Sequence, residues 1–361
     1  MESGVARKRI DDWQAYANHL RQIMGMESKL SQTLIETART APQRVVFAEG
    51  THPTILKAAA MARDLGICHP ILLGNDEYIR AKAEEVQVDL AGIEIVNLRS
   101  NSMAAKREAY AALFAERNLR KGCTMQIAND KMYERNYFGM MMVETGDADA
   151  FITGLYTKGN NSIKVAKSVI GVRPPYKHFA TMHIVNSKHG TYYLADTLIN
   201  RKPDAETLCD IARLSADSVK FFAHDPVMAM VSYSNFGTDT EGSPAQMHQA
   251  VEMLHAQFPD LAVDGEMQMR FALNNELRDE RYPFTRLKGR KVNTLLFPNL
   301  SSANICAQTL RDLGEDAEII GPIQMGLNKP IHFTDTECSV RDVINITAVA
   351  VIDAIVMKKK A

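Results

Sequence analysis

"RVVFAEGTHPTILKAAAMARDLGICHPILLGN", Arg44–Asn75, decides the fold of this chain. "RVVFAEG" is a short apolar run bounded by charge and glycine, which reads as a buried strand. "TILKAAAMARDLG" reads as a helix that ends at Gly66, the residue type that enters the left-handed cap conformation without strain. "ICHPILLG" is the next strand. Apolar strands separated by helices pair in parallel, so the class is α/β with a mostly parallel sheet flanked by helices.

The alternation continues downstream. "IEIVNL" and "DAFITG" read as strands, and "HFATMHIVN" and "TYYLADTLIN" follow so closely that they pair as antiparallel neighbours. A helix over residues 204–222 comes next, then "VMAMVSYS", then "SPAQMHQAVEMLHAQF" as a helix with Ser243 as its cap and Pro244 in its first position. "LAVDGEM", "VNTLLFPNL" and "AEIIGPI" are further strands. Upstream, "RKRIDDWQAYANHLRQIMG" is polar and helix-like, with Trp13, Tyr16 and Leu20 at helical spacing, and a second helix runs from Ser28 to about Thr40.

The chain has 361 residues, enough to hide about three quarters of its unfolded surface. A net charge of -1 offers no basic field for nucleic acid or an anionic membrane. Five cysteines, an odd count without a CxxC pair, predict a reducing, cytoplasmic setting and no structural zinc. The most apolar segment, Val343–Met357, contains Asn345 and Asp353 and reads as a buried helix. No strand is followed by GxGxxG or GxxxxGK[ST], and "GTDTEGS" lacks the P-loop lysine. The histidines lack helical metal-pair spacing, and no metal ligand set is expected.

Ligands of open α/β sheets sit beyond the carboxyl ends of the strands. Polar loops are expected there in "SYSNFGT", with Ser232, Tyr233 and Ser234, and in "PNLSSANI", whose serines precede a helix start able to hold an anion. "TGLYTKGNNSIK" supplies Lys158 and Lys164, and "GPIQMGLNKP" leads to "HFTDTE", a loop over His332–Glu337. Each loop also reads as plain turn and cap chemistry. Ser339 and Asp342 form S-x-x-D before an apolar helix, which is a capping box or, at a cleft, a site for a general base.

In this order and spacing, several stretches resemble the phosphate acetyl/butyryltransferase (phosphotransacetylase) family. They are Arg44–Asn75, "YFGMMMVETGDADAFITG", "MVSYSNFG", "PDLAVDGEMQ", "LLFPNLSSANICAQTLRDLG" and "IIGPIQMGLNKPI". The resemblance implies two α/β lobes with coenzyme A in the cleft between them, and a homodimer. The family's K-P-x-N-D-L-S-R-G signature begins here at Lys329-Pro330. Its serine falls on Asp335 and its arginine on Thr336, while the helix-start aspartate is kept as Asp342. A second anion-binding arginine falls on Lys164, and an aspartate of the D-G-x-L-Q-x-D stretch falls on Arg270.

"SGVARKRIDDWQAYANHL" resembles the junction of bacterial hybrid NADP-dependent malic enzymes, whose tail is phosphotransacetylase-like. This implies a catalytically silent module that binds acetyl-CoA as an allosteric inhibitor and self-associates as a dimer or larger. NADP and a divalent metal would belong to a covalently linked malic-enzyme part missing from this sequence. The expected division is a junction over residues 1–27, one lobe over 28–172 with 323–361, and a second over 173–322. The expected acetyl-CoA contacts are Lys158, Lys164, Ser232, Tyr233, Ser234, Asn304, Met325, Asn328, Lys329 and Asp342. The competing expectation is an active phosphate acetyltransferase with Asp342 as base and Arg341 or Arg270 supplying the lost cation.

Overall fold

The computed structural model describes residues 29–156, 159–314 and 317–360. The expected junction helix and Lys158 lie outside the described residues. Five strands precede the midpoint of the fold: β1 (Gln43–Phe47), β2 (Cys68–Leu73), β3 (Glu94–Val96), β4 (Ala150–Thr153) and β5 (Ala180–Ser187). Then come β6 (Gly190–Ala195), β7 (Met228–Val231), β8 (Val263–Met267), β9 (Thr294–Leu296), β10 (Glu318–Met325) and β11 (Ile331–Phe333).

They form two sheets. The first has the order β11-β4-β1-β2-β3, with every pairing parallel. The second has the order β10-β5-β6-β9-β7-β8 and is parallel except where β5 runs against both neighbours. The expected antiparallel pair of β5 and β6 is present. The expected boundary between residues 322 and 323 falls inside β10, whose Ile323–Met325 still pair with β5.

Local chemistry explains the helix ends. Helix Pro53–Asp64 has proline in its first turn and the His52 ring as its cap, and Gly66 follows at φ +68°. Asp204 caps helix Ala205–Phe221 by accepting from the Thr207 amide. Helix Gly242–Gln257 starts two residues earlier than expected, after Glu241, so Ser243 lies in its first turn and is not its cap. The helix after "PNL" also starts early, at Leu300, with Asn299 as the cap. The serines meant to precede that helix are therefore inside it, and its end is already satisfied.

The long helix Val340–Lys360 joins the two sheets. Val343, Ile344, Ile346 and Val349–Ile352 are buried in one apolar cluster with Val45 and Phe47 of the first sheet and Met182, Ile320 and Ile323 of the second. No helix among the described residues is long and apolar enough to cross a membrane.

Asp149 fastens the amino edge of the first sheet. Its carboxylate accepts from the Arg44 amide at 2.8 Å, from the Arg44 guanidinium, and from Lys358 near the end of the long helix. Burial pushes this carboxyl up, but the Arg44 and Lys358 bonds more than offset it and hold it at about 2. A carboxyl depressed on folding stabilises above its unfolded value and loses that contribution as pH falls through the folded value. Because Arg44 is 44% exposed, salt reduces the effect. Asp149→Asn is expected to lose about 2 kcal/mol at neutral pH and low salt. Urea titrations of both proteins should converge as pH falls from about 4 toward 2. A constant gap down to acid pH would show that the charge is not the cause.

Candidate functional site

The carboxyl ends of β1, β4 and β11 meet at one edge. The Thr334 amide donates to Thr153 carbonyl oxygen at 2.9 Å, continuing the ladder past β11. Gly154 lets the strands close up, since a Cβ there would lie 2.2 Å from the Thr334 carbonyl oxygen. "HFTDTE" is therefore not all loop. His332 and Phe333 are buried strand residues, and the turn begins at Thr334.

Beneath this turn lies Glu49, at the end of β1 and fully buried. Its Oε1 accepts from Thr153 Oγ1 at 2.9 Å and from the Gly154 amide at 3.2 Å, while Oε2 has no hydrogen-bond partner. Burial drives the carboxyl up, against those hydrogen bonds. Thr153 Oγ1 also lies 3.0 Å from Asn136 Oδ1, and Asn136 Nδ2 donates to Ser162. One hydroxyl proton cannot serve both carboxyl and amide oxygens. Thr153 Oγ1 therefore donates to one of the two oxygens at a time, and burial shifts Glu49 toward its neutral form.

Asp335 and Asp342 stand above Glu49. Burial raises the Asp335 carboxyl, Arg311 opposes, and the negative charge of Asp342 adds to the rise. Its ion pair is with Arg311, Nη1 to Oδ2 at 3.5 Å. Arg311 lies on helix Leu300–Leu313, which packs on the second sheet, so this pair links that helix to the turn after β11 of the first sheet. Asp342 Oδ2 accepts from the Ser339 amide at 2.9 Å and hydroxyl at 2.7 Å, and the Asp342 amide donates back to Ser339 Oγ at 3.2 Å. That is the closed capping box. Thr336, in the place of the family arginine, is exposed.

Cys338 is buried in the same turn, and burial pushes its thiol up to about 12, with Asp342, Asp335 and Glu49 contributing. A thiol held there is not a thiolate at neutral pH and supplies no nucleophile. The site thus gathers the carboxyl groups of Glu49, Asp335 and Asp342, with the Arg311 guanidinium at Asp335 and the Arg135 guanidinium near enough to Glu49 to favour its ionised form. Among the described residues the carboxyl groups outnumber these cations, which disfavours multiply charged anions.

The other expected contacts are scattered. Ser234 Oγ donates to buried Glu266 at 3.0 Å, Ser232 Oγ accepts from the Ser234 amide at 3.4 Å, and exposed Tyr233 donates to Asp239 at 2.8 Å. No hydrogen bond or ion pair among the described residues links this loop to Asp335 or Asp342. Asn304 Nδ2 approaches Thr197 carbonyl oxygen at 3.5 Å. Lys164 is exposed on helix Gly159–Val169. Met325 is buried at the end of β10. Asn328 and Lys329 precede β11 and stand at its amino edge beside Asp149, not at the edge that carries Asp335. Arg341 binds Glu318 at 2.6 Å, and Arg270 is exposed without an ion pair among the described residues. Sequence reasoning missed Arg311, Cys338 and Glu49. Only Glu49 carried a local signal, an acid closing an apolar strand.

The family model described as phosphate acetyl/butaryl transferase matches residues 29–351. The NADP-dependent malic enzyme of Escherichia coli (strain K12) is 33% identical over 98% of this chain, which spans 47% of that protein. The phosphate acetyltransferase of Thermoanaerobacterium thermosaccharolyticum is 32% identical over 90% of this chain and 98% of its own. This chain therefore spans about half the length of the malic enzymes it matches and nearly all of that acetyltransferase. A solved phosphotransacetylase from Streptococcus pyogenes superposes with a TM-score of 0.81 at 29% identity, covering 91% of this chain and 99% of that one.

A carboxyl raised on folding contributes stability at low pH that is lost as pH rises above its unfolded value. Glu49→Gln keeps the shape and removes the ionisation. Its stability relative to the parent chain is expected to grow from about pH 4 to pH 7 and to stay level below. The measurement is urea unfolding across that range. A relative stability that falls with pH would mean that Glu49 is ionised and paired.

Proposed function

The chain belongs to the phosphate acetyl/butaryl transferase family, and from that premise we propose that it is a catalytically silent member that binds acetyl-CoA in the interlobe cleft. In this reading it is the regulatory, self-associating part of an NADP-dependent malic enzyme, with NADP and a divalent metal confined to the linked catalytic part. The observation that carries the reading is Asp335, a carboxylate standing in the family serine's place and facing Asp342, with Arg311 as its ion-pair partner.

Acetyl transfer from acetyl phosphate to coenzyme A needs the thiol deprotonated, the acyl phosphate held and the oxyanion stabilised. A carboxylate beside the phosphoryl oxygens repels them by about 1 kcal/mol at 4 Å in water and about 4 kcal/mol near a protein surface. Threonine in place of arginine removes a bidentate cation. Losing one such stabilising group slows a reaction about a hundredfold or more. Acetyl-CoA meets a weaker objection, because its thioester is uncharged. Inhibition of a linked enzyme then requires that acetyl-CoA prefer one of two arrangements of the lobes or subunits.

Arg311 is the observation that favours a second reading, an active phosphate acetyltransferase in which Arg311 replaces the lost arginine and Asp342 acts as base. A coupled assay for acetyl-CoA formation separates the two. The parent chain is expected to show no turnover above background. Asp335→Ser with Thr336→Arg is expected to raise activity about a hundredfold or more. Titration calorimetry with acetyl-CoA is expected to show saturable binding to the parent chain. Robust turnover by the parent, or no heat with acetyl-CoA, would overturn the proposal.

A further inference from the structure

A cavity of about 400 Å³ opens between the loop that follows β3 and the starts of helices Arg135–Thr145 and Gly159–Val169. No residue of the Asp335 turn lines it. Its walls are tied to one another by buried polar side chains. Arg107, 8% exposed, donates through Nη1 to the Leu98 carbonyl at 2.6 Å and to the Ser100 carbonyl at 2.8 Å, so Arg99 between them sits on a pinned backbone. The Arg107 guanidinium also lies 4.6 Å from the centre of the Tyr133 ring, which joins that loop to the opposite wall. Asn136, 4% exposed, donates to Ser162 Oγ at 2.9 Å and so couples the helix that carries Arg135 to the helix that carries Asn161.

Its charge is positive and uncompensated. Arg99 and Arg135 both line the cavity, and neither side chain makes an ion pair or a hydrogen bond among the described residues. Arg99 is exposed and Arg135 half-buried, so a ligand in the cavity reaches both. The Arg135 guanidinium lies 5.4 Å from the centre of the Tyr156 ring. Stacking on a ring uses the face of a guanidinium and leaves its in-plane N–H groups free. Burial drives Glu49 toward its neutral form, so that acid cancels little of the Arg135 charge. Glu134 is the one carboxylate on the wall, and Lys131 Nζ already holds it at 2.6 Å.

The lining selects the class of anion. Two guanidiniums without a counter-ion in one cavity suit an oxyanion of more than one charge, which each fork binds through parallel N–H groups. The volume is more than ten times a water's share of about 30 Å³, so a bare phosphate leaves most of it to solvent. The Tyr133 hydroxyl and the Asn161 side-chain amide complete the wall, and neither has a hydrogen-bond partner among the described residues. Both can bind hydroxyl groups. Leu98 is the only aliphatic side chain present, which offers nothing to a long apolar tail.

We propose that this cavity binds a phosphate monoester with a small hydroxylated body, the phosphoryl oxygens on Arg99 and Arg135 and the hydroxyl groups on Tyr133 and Asn161. The test is titration calorimetry with glycerol 3-phosphate. Saturable heat is expected, with none from glycerol. Arg99→Gln and Arg135→Gln are each expected to weaken binding about tenfold or more, since each removes a hydrogen bond to a charged group. Thermal unfolding of Arg99→Gln is expected to match the parent chain, because that side chain is exposed and unbonded, so its lost affinity is not lost fold. Tyr133→Phe is expected to weaken the ester and leave inorganic phosphate unchanged. Glycerol 3-phosphate is expected to bind equally well in the presence of acetyl-CoA. Displacement by acetyl-CoA would make the cavity a pocket for that ligand's own phosphate and overturn an independent site. No saturable heat up to roughly 20 mM, well above a millimolar dissociation constant, would overturn the proposal. Unchanged affinity in Arg99→Gln, or inorganic phosphate binding as tightly as the ester, would overturn it too.

Discussion

Burial of the helix Val340–Lys360 between the two sheets is the constraint on which the placement of Asp342 and Asp353 depends. Its middle is apolar almost all round, as a helix must be when it has a sheet on either side. Lys358 reaches the Asp149 carboxylate at the amino edge of the first sheet, and Asp342 closes the capping box at the carboxyl edge. The helix is thereby fixed along its length as well as in its rotation. Asp342 and Asp353 are consequently held at set positions on one rigid rod, each beside a different residue of the segment that contains β11.

Charge at the two positions is handled differently. At the Asp335 turn, Glu49, Asp335 and Asp342 crowd together, and the second sheet's helix contributes Arg311. Burial there favours protonation, and each ionised neighbour makes the next ionisation harder. On the opposite face of β11 the His332 ring faces the Asp353 carboxylate, Nε2 to Oδ2 at 3.5 Å. The edge that the family motif marks thus sets three carboxyl groups against the guanidiniums of Arg311 and Arg135, while His332 is matched with one acid of the long helix.

Much of this arrangement was legible in the sequence. The strand–helix–strand reading of Arg44–Asn75 holds, as does the antiparallel β5–β6 pair, because long apolar runs bounded by glycine leave few alternatives. β11 was not legible. It has three residues, one of them histidine, and follows Lys329-Pro330. That short strand separates the expected contacts Asn328 and Lys329 from Asp335. A three-residue strand spans ~10 Å, so the residues before and after it stand at opposite edges of a sheet. Asn328 and Lys329 precede it and Asp335 follows it, yet in sequence they form one polar stretch. Arg311 was invisible for another reason, since its meeting with Asp335 depends on how the two sheets are packed.

The frame of the Asp335 turn also weakens any inference from motif residues to catalysis. Gly154 is required because a side chain would collide with the Thr334 backbone, and Thr153 carries the hydrogen bonds of Glu49. Ser339 and Asp342 satisfy each other at a helix start, a role worth about 1 kcal/mol without any substrate. These residues are needed for the chain to fold, whether or not it does chemistry. Asp335 and Thr336 are under less structural demand. Thr336 is exposed, and the Asp335 side chain is 39% exposed with a single long ion pair. The sequence also departs from the family signature at His332, Phe333 and Thr334, which are buried, so Asp335 and Thr336 are departures that packing leaves open and those three are not. A kept Asp342 is therefore explained by the cap alone, and the argument over activity rests on Asp335, Thr336 and Arg311.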